Sequence, residues 1–434
     1  MEQSQTISTV GKIYIGILLV IFAGIIFHAP LSVALGTLWP NFNLLIKSWK
    51  EILMLIAGLM SLYLMNKNHQ FKILRNLIII AIAAYAILHL SLLGFMSQSF
   101  VAAIAGLAID LRYVLFFALV YIAMCLYPNK RKMFIQVGIA GALIVLIFAI
   151  LQVFILPKDI LKYLGYSINT INPYLTVDKN NAFIRINSTF RGPNPLGAYA
   201  GLVLTLLTAA IFKHKIKKER WPLTIAVVLS AGGVVALWAS YSRSALLATV
   251  IAISIVIALA AYKKLFPKLW ITIGVIVVIT AGGIYLTRDT SFVSNVILHV
   301  NPTGGSLNKS NEGHINSLSD GVNQLIKQPM GAGIGSTGSA SMLVGKGEII
   351  ENQYLFIAHE VGWLGLALFL FIFVSVLVRL WKLRDDWLAL GVFASGIGLA
   401  LICLVLPILT DDMVSIIWWG LAAIALFPNN KDYN

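Results

Sequence analysis

Apolar runs long enough to cross a bilayer recur along almost the whole chain, from Gly11 to Phe427. A helix needs about 20 apolar residues to cross the hydrocarbon core. The runs predict spans at approximately 11–28, 44–65, 73–93, 113–127, 133–156, 195–212, 221–239, 244–262, 268–287, 356–380, 388–407 and 411–428. The expected fold class is therefore all-α: one polytopic transmembrane bundle of about twelve spans over residues 1–434. The fourth run is short, so the stretch 97–112 before it is expected to enter the membrane and return. The first run, Ile13 to Phe27, follows a single early basic residue, Lys12, and leads into HAPLSVALG. A secretory signal has a positive start and a small-residue cleavage site, so an uncleaved first helix is the better reading.

Three polar segments interrupt the runs on one side. They are 157–194, the tight SYSRS connection at 240–244, and the long stretch 288–355 between the ninth and tenth runs. Structureless loops of that length are uncommon and usually functional. Within the last, NSLSDGVNQLIKQ (316–328) carries Leu318, Val322, Leu325 and Ile326 at the spacing of a short amphipathic helix.

Composition agrees with a membrane domain. Apolar residues are 59% of the 434 and charged ones 11%, far below the quarter or so of a soluble domain. The net charge of +15 changes meaning once it is distributed over the spans. With the N-terminus inside, 19 Lys and Arg fall on the inner side and 13 on the outer, against 5 and 12 acids. That positive-inside pattern accounts for the basic balance without nucleic acid, and it puts both termini in the cytoplasm. Cys125 and Cys403 lie in expected helices, so the outer loops have no disulfide framework.

The candidate chemistry collects on the outer side. Arg185 and Arg191 lie in RINSTFRGPNPLGAYA, and Arg243 lies in YSRSALLA. Arginine near hydrocarbon is costly unless paired or hydrated, and its planar fork of donors suits phosphate oxygens. The bland alternative is helix-end arginines snorkelling to lipid phosphates. Pro193, Asn194 and Pro195 form a turn that launches the sixth helix, whose free N–H groups would face an anion. GAGIGSTGSAS (331–341) lacks the Lys-Ser ending of a nucleotide phosphate loop and reads as a flexible, substrate-facing segment.

Glu351 precedes the tenth span and is a candidate base; Asn352 beside it is a substrate contact or the helix cap. Glu360 lies inside that span and needs a partner; His359 reads as a packing residue. His314 in NEGHI is the other histidine of interest. Asp110 and Arg112 in IDLRY are expected to pair with one another. Adjacent Asp411 and Asp412 are too few to make a metal site, and none is expected.

From about Ala102 to Leu370 the chain resembles the O-antigen ligase and polymerase superfamily of bacterial envelope glycosyltransferases. The resemblance rests on IDLRYVLFF, RINSTFRGPNPLGAYA, YSRSALLA, NEGHINSLSDGVNQLIKQPMGAGIGSTGSAS and ENQYLFIAHEVGWLGL, in that order. It implies an inner-membrane protein whose active face is periplasmic or extracellular. Its expected substrates are a glycan linked to undecaprenyl diphosphate and an acceptor hydroxyl on a glycan or lipid. Neither cofactor nor metal is implied. A flippase or chain-length regulator is a conceivable partner, alongside membrane lipids. Arg191 and Arg243 match the positions expected to contact diphosphate, with Arg185 as a third. Ligases usually place histidine before the Asn that opens the loop-to-helix motif. Here Glu351 stands there, which favours polymerase-like transfer over attachment to a lipid A core.

A transporter or flippase of lipid-linked glycan is the rival class. Transporters often show matching halves, and none are visible here. A purely structural envelope protein is the third.

Overall fold

The first apolar run folds as α1 (Thr9–Gly24) and α2 (His28–Leu38), joined by a tighter turn at Ile25–Phe27. Pro30 explains the break, since it has no N–H for the Ile26 carbonyl. A computed structural model describes residues 7–95, 99–177, 180–213, 223–260, 285–290, 293–294, 319, 321–323, 325–345 and 349–428. The further helices are α3 (Asn43–Lys47), α4 (Trp49–Lys67), α5 (Leu77–Phe95), α6 (Phe100–Leu126) and α7 (Arg131–Phe154). After a short hairpin come α8 (Pro193–Phe212), α9 (Leu223–Ala239) and α10 (Arg243–Ala260). The chain then forms α11 (Gly338–Met342), α12 (Gln353–Lys382), α13 (Trp387–Cys403) and α14 (Asp412–Ala425).

The result is an all-α membrane bundle. Among the described residues, seven helical stretches are long and apolar enough to cross a membrane, and three shorter apolar helices, α9, α13 and α14, join them. The expected ninth span and most of 288–355 lie outside the described residues. Residues 321–323 and 325–327 are helical, within the predicted amphipathic stretch.

One expectation changes. The stretch 97–112 does not dip and return, because α6 runs unbroken from Phe100 through the fourth predicted span. Ser99 caps it by accepting the Ala102 N–H at 3.3 Å, and no proline interrupts it. Short elements lie within the segment 157–194. It carries a helical turn at Ile160–Leu164 and the antiparallel strands β1 (Leu175–Val177) and β2 (Asn180–Arg185).

α14 is buried over its whole length and forms the centre of the bundle. Trp419 packs against Tyr113 and Phe117 of α6, and the Trp418 indole N–H donates to the Val392 carbonyl of α13 at 3.3 Å. α8 approaches α10 through Gly197 and Gly201, one helical turn apart. A Cβ on Gly197 would lie 3.1 Å from that of Ala245, and one on Gly201 would strike Thr249. Small residues at such spacing let membrane helices pack backbone to backbone.

The bundle has two chemically distinct ends. At one, Arg131 at the start of α7 pairs with Asp386 before α13 at 2.7 Å, and Lys213 after α8 pairs with Asp385 at 3.4 Å. Arg185, Arg191, Arg243 and Glu351 sit at the other. Gly201→Leu is expected to separate α8 from α10 and to cost about 1–3 kcal/mol, the usual penalty of overpacking. The readout is a melting temperature lowered by several degrees in detergent. An unchanged melting curve would mean that the two helices are not held together there.

Candidate functional site

Arg185 closes β2 and ties three segments together. Its Nε donates to the Ser240 carbonyl at 2.8 Å and its Nη2 to Asn194 Oδ1 at 2.6 Å. The hairpin, the first turn of α8 and the SYSRS connection therefore meet at one half-buried guanidinium. Pro193 starts α8 as expected, where a missing N–H is harmless. Two non-glycine residues beside this junction have left-handed backbones: Ser188 at φ 48° and Tyr241 at φ 47°. Such conformations cost about 1–3 kcal/mol and persist where surroundings enforce them. The Ser188 N–H donates to Gln152 Oε1 and its hydroxyl to the Val145 carbonyl, both at 2.8 Å. Tyr241 is wedged between the rings of Phe183 and Trp238.

Arg243 follows this turn as the first residue of α10 and is exposed. Arg191 is also exposed, on the loop entering α8. Its guanidinium lies within electrostatic reach of Lys47, Tyr166 and Asp411. Burial pushes the Tyr166 hydroxyl up from its ordinary pKa, and the Arg191 charge opposes that rise.

Glu351 is half-buried and immediately precedes α12. Asn352 is the helix cap: its Oδ1 accepts the N–H groups of Tyr354 and Leu355 at 2.9 and 3.0 Å. Its Nδ2 donates to the Leu404 carbonyl at 2.8 Å, and Gln353 Oε1 accepts the Leu409 N–H at 2.9 Å. The start of α12 is thus fixed to the segment that leads into Asp411. Glu351 and Arg191 consequently belong to the same end of the bundle. His314 lies outside the described residues.

Glu360 faces inward and is fully buried. Its carboxylate accepts the backbone N–H groups of Gly335 and Thr337 at 3.1 and 3.3 Å. The glycine-rich segment lies between α6 and α12, and a Cβ on Gly106 would come within 2.5 Å of the Gly335 nitrogen. At Gly362, φ 69°, α12 loses its helical backbone. The incoming loop supplies substitute bonds there: Trp363 N–H to the Pro329 carbonyl at 3.0 Å, and Ala332 N–H to the His359 carbonyl at 2.6 Å. Glu360 also lies within hydrogen-bonding reach of Asp110, whose Oδ2 is 3.4 Å from His89 Nε2.

Asp110 and Arg112 do not pair with each other. Two positions apart on α6 they point to different faces. Arg112 instead meets Asp412 at 2.5 Å and donates to the Thr410 carbonyl at 2.5 Å. Asp412 also receives Lys50 and His28, each at 2.8 Å, and Lys50 reaches Glu51 at 3.1 Å. Asp411 caps α14 by accepting Met413 and Val414 N–H groups. The sequence reading overlooked His28, Lys50 and Glu51. Their signal was the presence of ionisable residues at the ends of apolar runs, which lipid does not tolerate unpaired. Among the described residues, no group of three or more His, Cys, Asp or Glu is placed to hold a metal ion.

The family described as O-antigen ligase matches residues 225–370, about a third of the chain. Over those residues the chain is similar to the O-antigen ligase family. Its long apolar helices are those of a membrane-embedded protein. Comparison with curated proteins gives no match. The family match spans Arg243, Glu351, Asn352 and Glu360, whereas Arg185, Arg191 and Asn194 precede it.

Two outcomes test this architecture. Glu360→Ala removes two hydrogen bonds to loop backbone, worth about 0.5–1.5 kcal/mol each. Amide exchange at Gly335 and Thr337 should accelerate about tenfold or more, while the amides of α13 keep their protection. Equal exchange in both proteins would show that the carboxylate does not hold the loop. Arg112→Ala leaves Asp412 short of a charge in a buried site and should cost about 3–5 kcal/mol, read as a large drop in melting temperature. A drop of a degree or less would mean that Lys50 and His28 suffice.

Proposed function

We propose that the protein transfers a glycan from an undecaprenyl-diphosphate-linked donor to an acceptor hydroxyl, in the manner of an O-antigen ligase. The family match supports the ligase alternative better than polymerase-like transfer. The observation that carries the reading is the Arg185 junction. It gathers the segments bearing Arg191 and Arg243 at the end where α12 presents Glu351.

Arg191 and Arg243 bind the diphosphate, and Arg185 with Asn194 holds the turn that positions them. The acceptor oxygen attacks the anomeric carbon, and the bond to the diphosphate oxygen breaks with inversion. The electron pair leaves on diphosphate, where the guanidinium charges stabilise it. The acceptor proton passes to Glu351 as general base. Diphosphate is a good leaving group, so no acid is needed on that side. The reaction face is the outer leaflet, and the basic end of the bundle is cytoplasmic, as the charge distribution requires.

The second reading, extension of another lipid-linked glycan, is favoured by Glu351 itself, where ligases usually carry histidine. Both readings require the same base and the same cations. Glu351→Gln protein given radiolabelled lipid-linked donor should keep donor binding and lose turnover by roughly 10²–10⁴-fold. Arg243→Glu should abolish donor binding. Wild-type turnover in a folded Glu351→Gln protein removes the base, and intact donor affinity in Arg243→Glu removes the clamp. The wild-type product decides between the readings. Label on a separate lipid acceptor indicates ligation, and a longer lipid-linked glycan indicates polymerisation. Movement of donor without a new bond would instead make the protein a transporter.

A further inference from the structure

At the opposite end of the bundle, α5 and α12 diverge and leave an open groove between them. Its walls are mostly apolar, with Leu77 and Ile78 on one side and Phe371 and Val374 on the other, beside Ser375. Its mouth carries Arg379 and Lys382. Val374 is 51% exposed and Leu77 57%, so the walls face whatever surrounds the bundle. Lys72 and Arg75, both exposed, stand just before α5 at that end. The acids nearest in sequence are engaged elsewhere, Asp386 by Arg131 and Asp385 by Lys213. Among the described residues, no ion pair involves Arg379, Lys382, Lys72 or Arg75. Arg379 lies within hydrogen-bonding reach of the Tyr121 hydroxyl, which itself accepts from Asn76 at 2.6 Å. The guanidinium is therefore directed at the groove mouth by a neutral contact that leaves its charge uncompensated.

The depth of this mouth is that of lipid headgroups. Trp381 is 39% exposed on the same turn of α12, and the Arg384 guanidinium stacks on its ring at 4.6 Å. Tryptophan and arginine on a helix end are characteristic of the membrane–water boundary. Basic pockets between transmembrane helices on the cytoplasmic side recognise anionic headgroups.

We propose that the groove between α5 and α12 is a binding site for an anionic phospholipid of the surrounding bilayer. Its phosphate sits against Arg379 and Lys382, and an acyl chain lies along Val374 and Ser375. The site is independent of glycan transfer, since it occupies the other end of the bundle.

The test uses the full-length protein in neutral detergent, titrated with cardiolipin, phosphatidylglycerol or phosphatidylcholine. Native mass spectrometry and melting temperature are the readouts. Wild-type protein should retain the two anionic lipids and gain several degrees of stability from them, with little effect of phosphatidylcholine. The Arg379→Gln/Lys382→Gln protein should lose the preference for anionic lipid at least tenfold. Ser375→Trp, which fills the groove and keeps both charges, should lose it as well. Equal binding of all three lipids by the wild type overturns the proposal. So does a full anionic preference in Ser375→Trp, because that outcome leaves only two surface cations attracting headgroups.

Discussion

A charge carried into an apolar bundle has to find its counter-charge inside the bundle, and Asp412 is where this protein meets that requirement. Lys50, His28 and Arg112 arrive from α4, α2 and α6, and all three reach a carboxylate on α14. Water cannot rescue any of them, so each helix is confined to the register that brings its side chain to Asp412. Because α14 is buried along its length, the helices so aligned surround it on several sides. Arg131 and Asp386 fix the other end in the same way. Van der Waals packing through Gly197, Gly201 and the tryptophans fills the space between.

The segments that carry the proposed chemistry are fastened differently, by bonds to backbone. Arg185 holds a carbonyl and an amide side chain, Asn352 caps a helix and grips the Leu404 carbonyl, and Glu360 holds two loop N–H groups. Loops cannot be fixed by apolar packing alone without burying unsatisfied backbone groups. The break at Gly362 shows the same logic from the helix side. A helix that opens inside a bundle exposes N–H and C=O groups, and the loop at 329–332 satisfies them.

The long apolar runs were readable because lipid imposes a length and a composition on each span. The fourth span was read too short because Asp110 and Arg112 interrupt its hydropathy. Their partners, His89, Glu360 and Asp412, lie on α5, α12 and α14, which no local pattern announces. The expected Asp110–Arg112 pair failed for the same reason: neighbours in sequence are not neighbours on a helix. Arg185, Arg191, Arg243 and Glu351 were legible as candidates because each interrupts or borders an apolar run beside a polar segment. That Asn194 is the acceptor for Arg185 was not legible, since it depends on how the hairpin folds back on α8. Lys50 and His28 were visible in the sequence but lost among helix-end residues that look alike until their contacts are known.

That resemblance among helix-end cations is the reason burial and counter-charge have to be read together. Arg112 and Arg191 belong to the same end of the bundle, and a charge count treats them as equivalent. Arg112 is buried against Asp412, so its charge is spent within the protein. Arg191 is exposed on a loop, and of the groups its charge reaches, Lys47 repels it and Asp411 already caps a helix. An incoming diphosphate competes with little at Arg191, whereas at Arg112 it would have to displace a carboxylate from a buried site. The two arginines therefore have opposite relations to an anion. One is consumed in holding the helices, and the other is held by them in a position where an anion from outside can be bound.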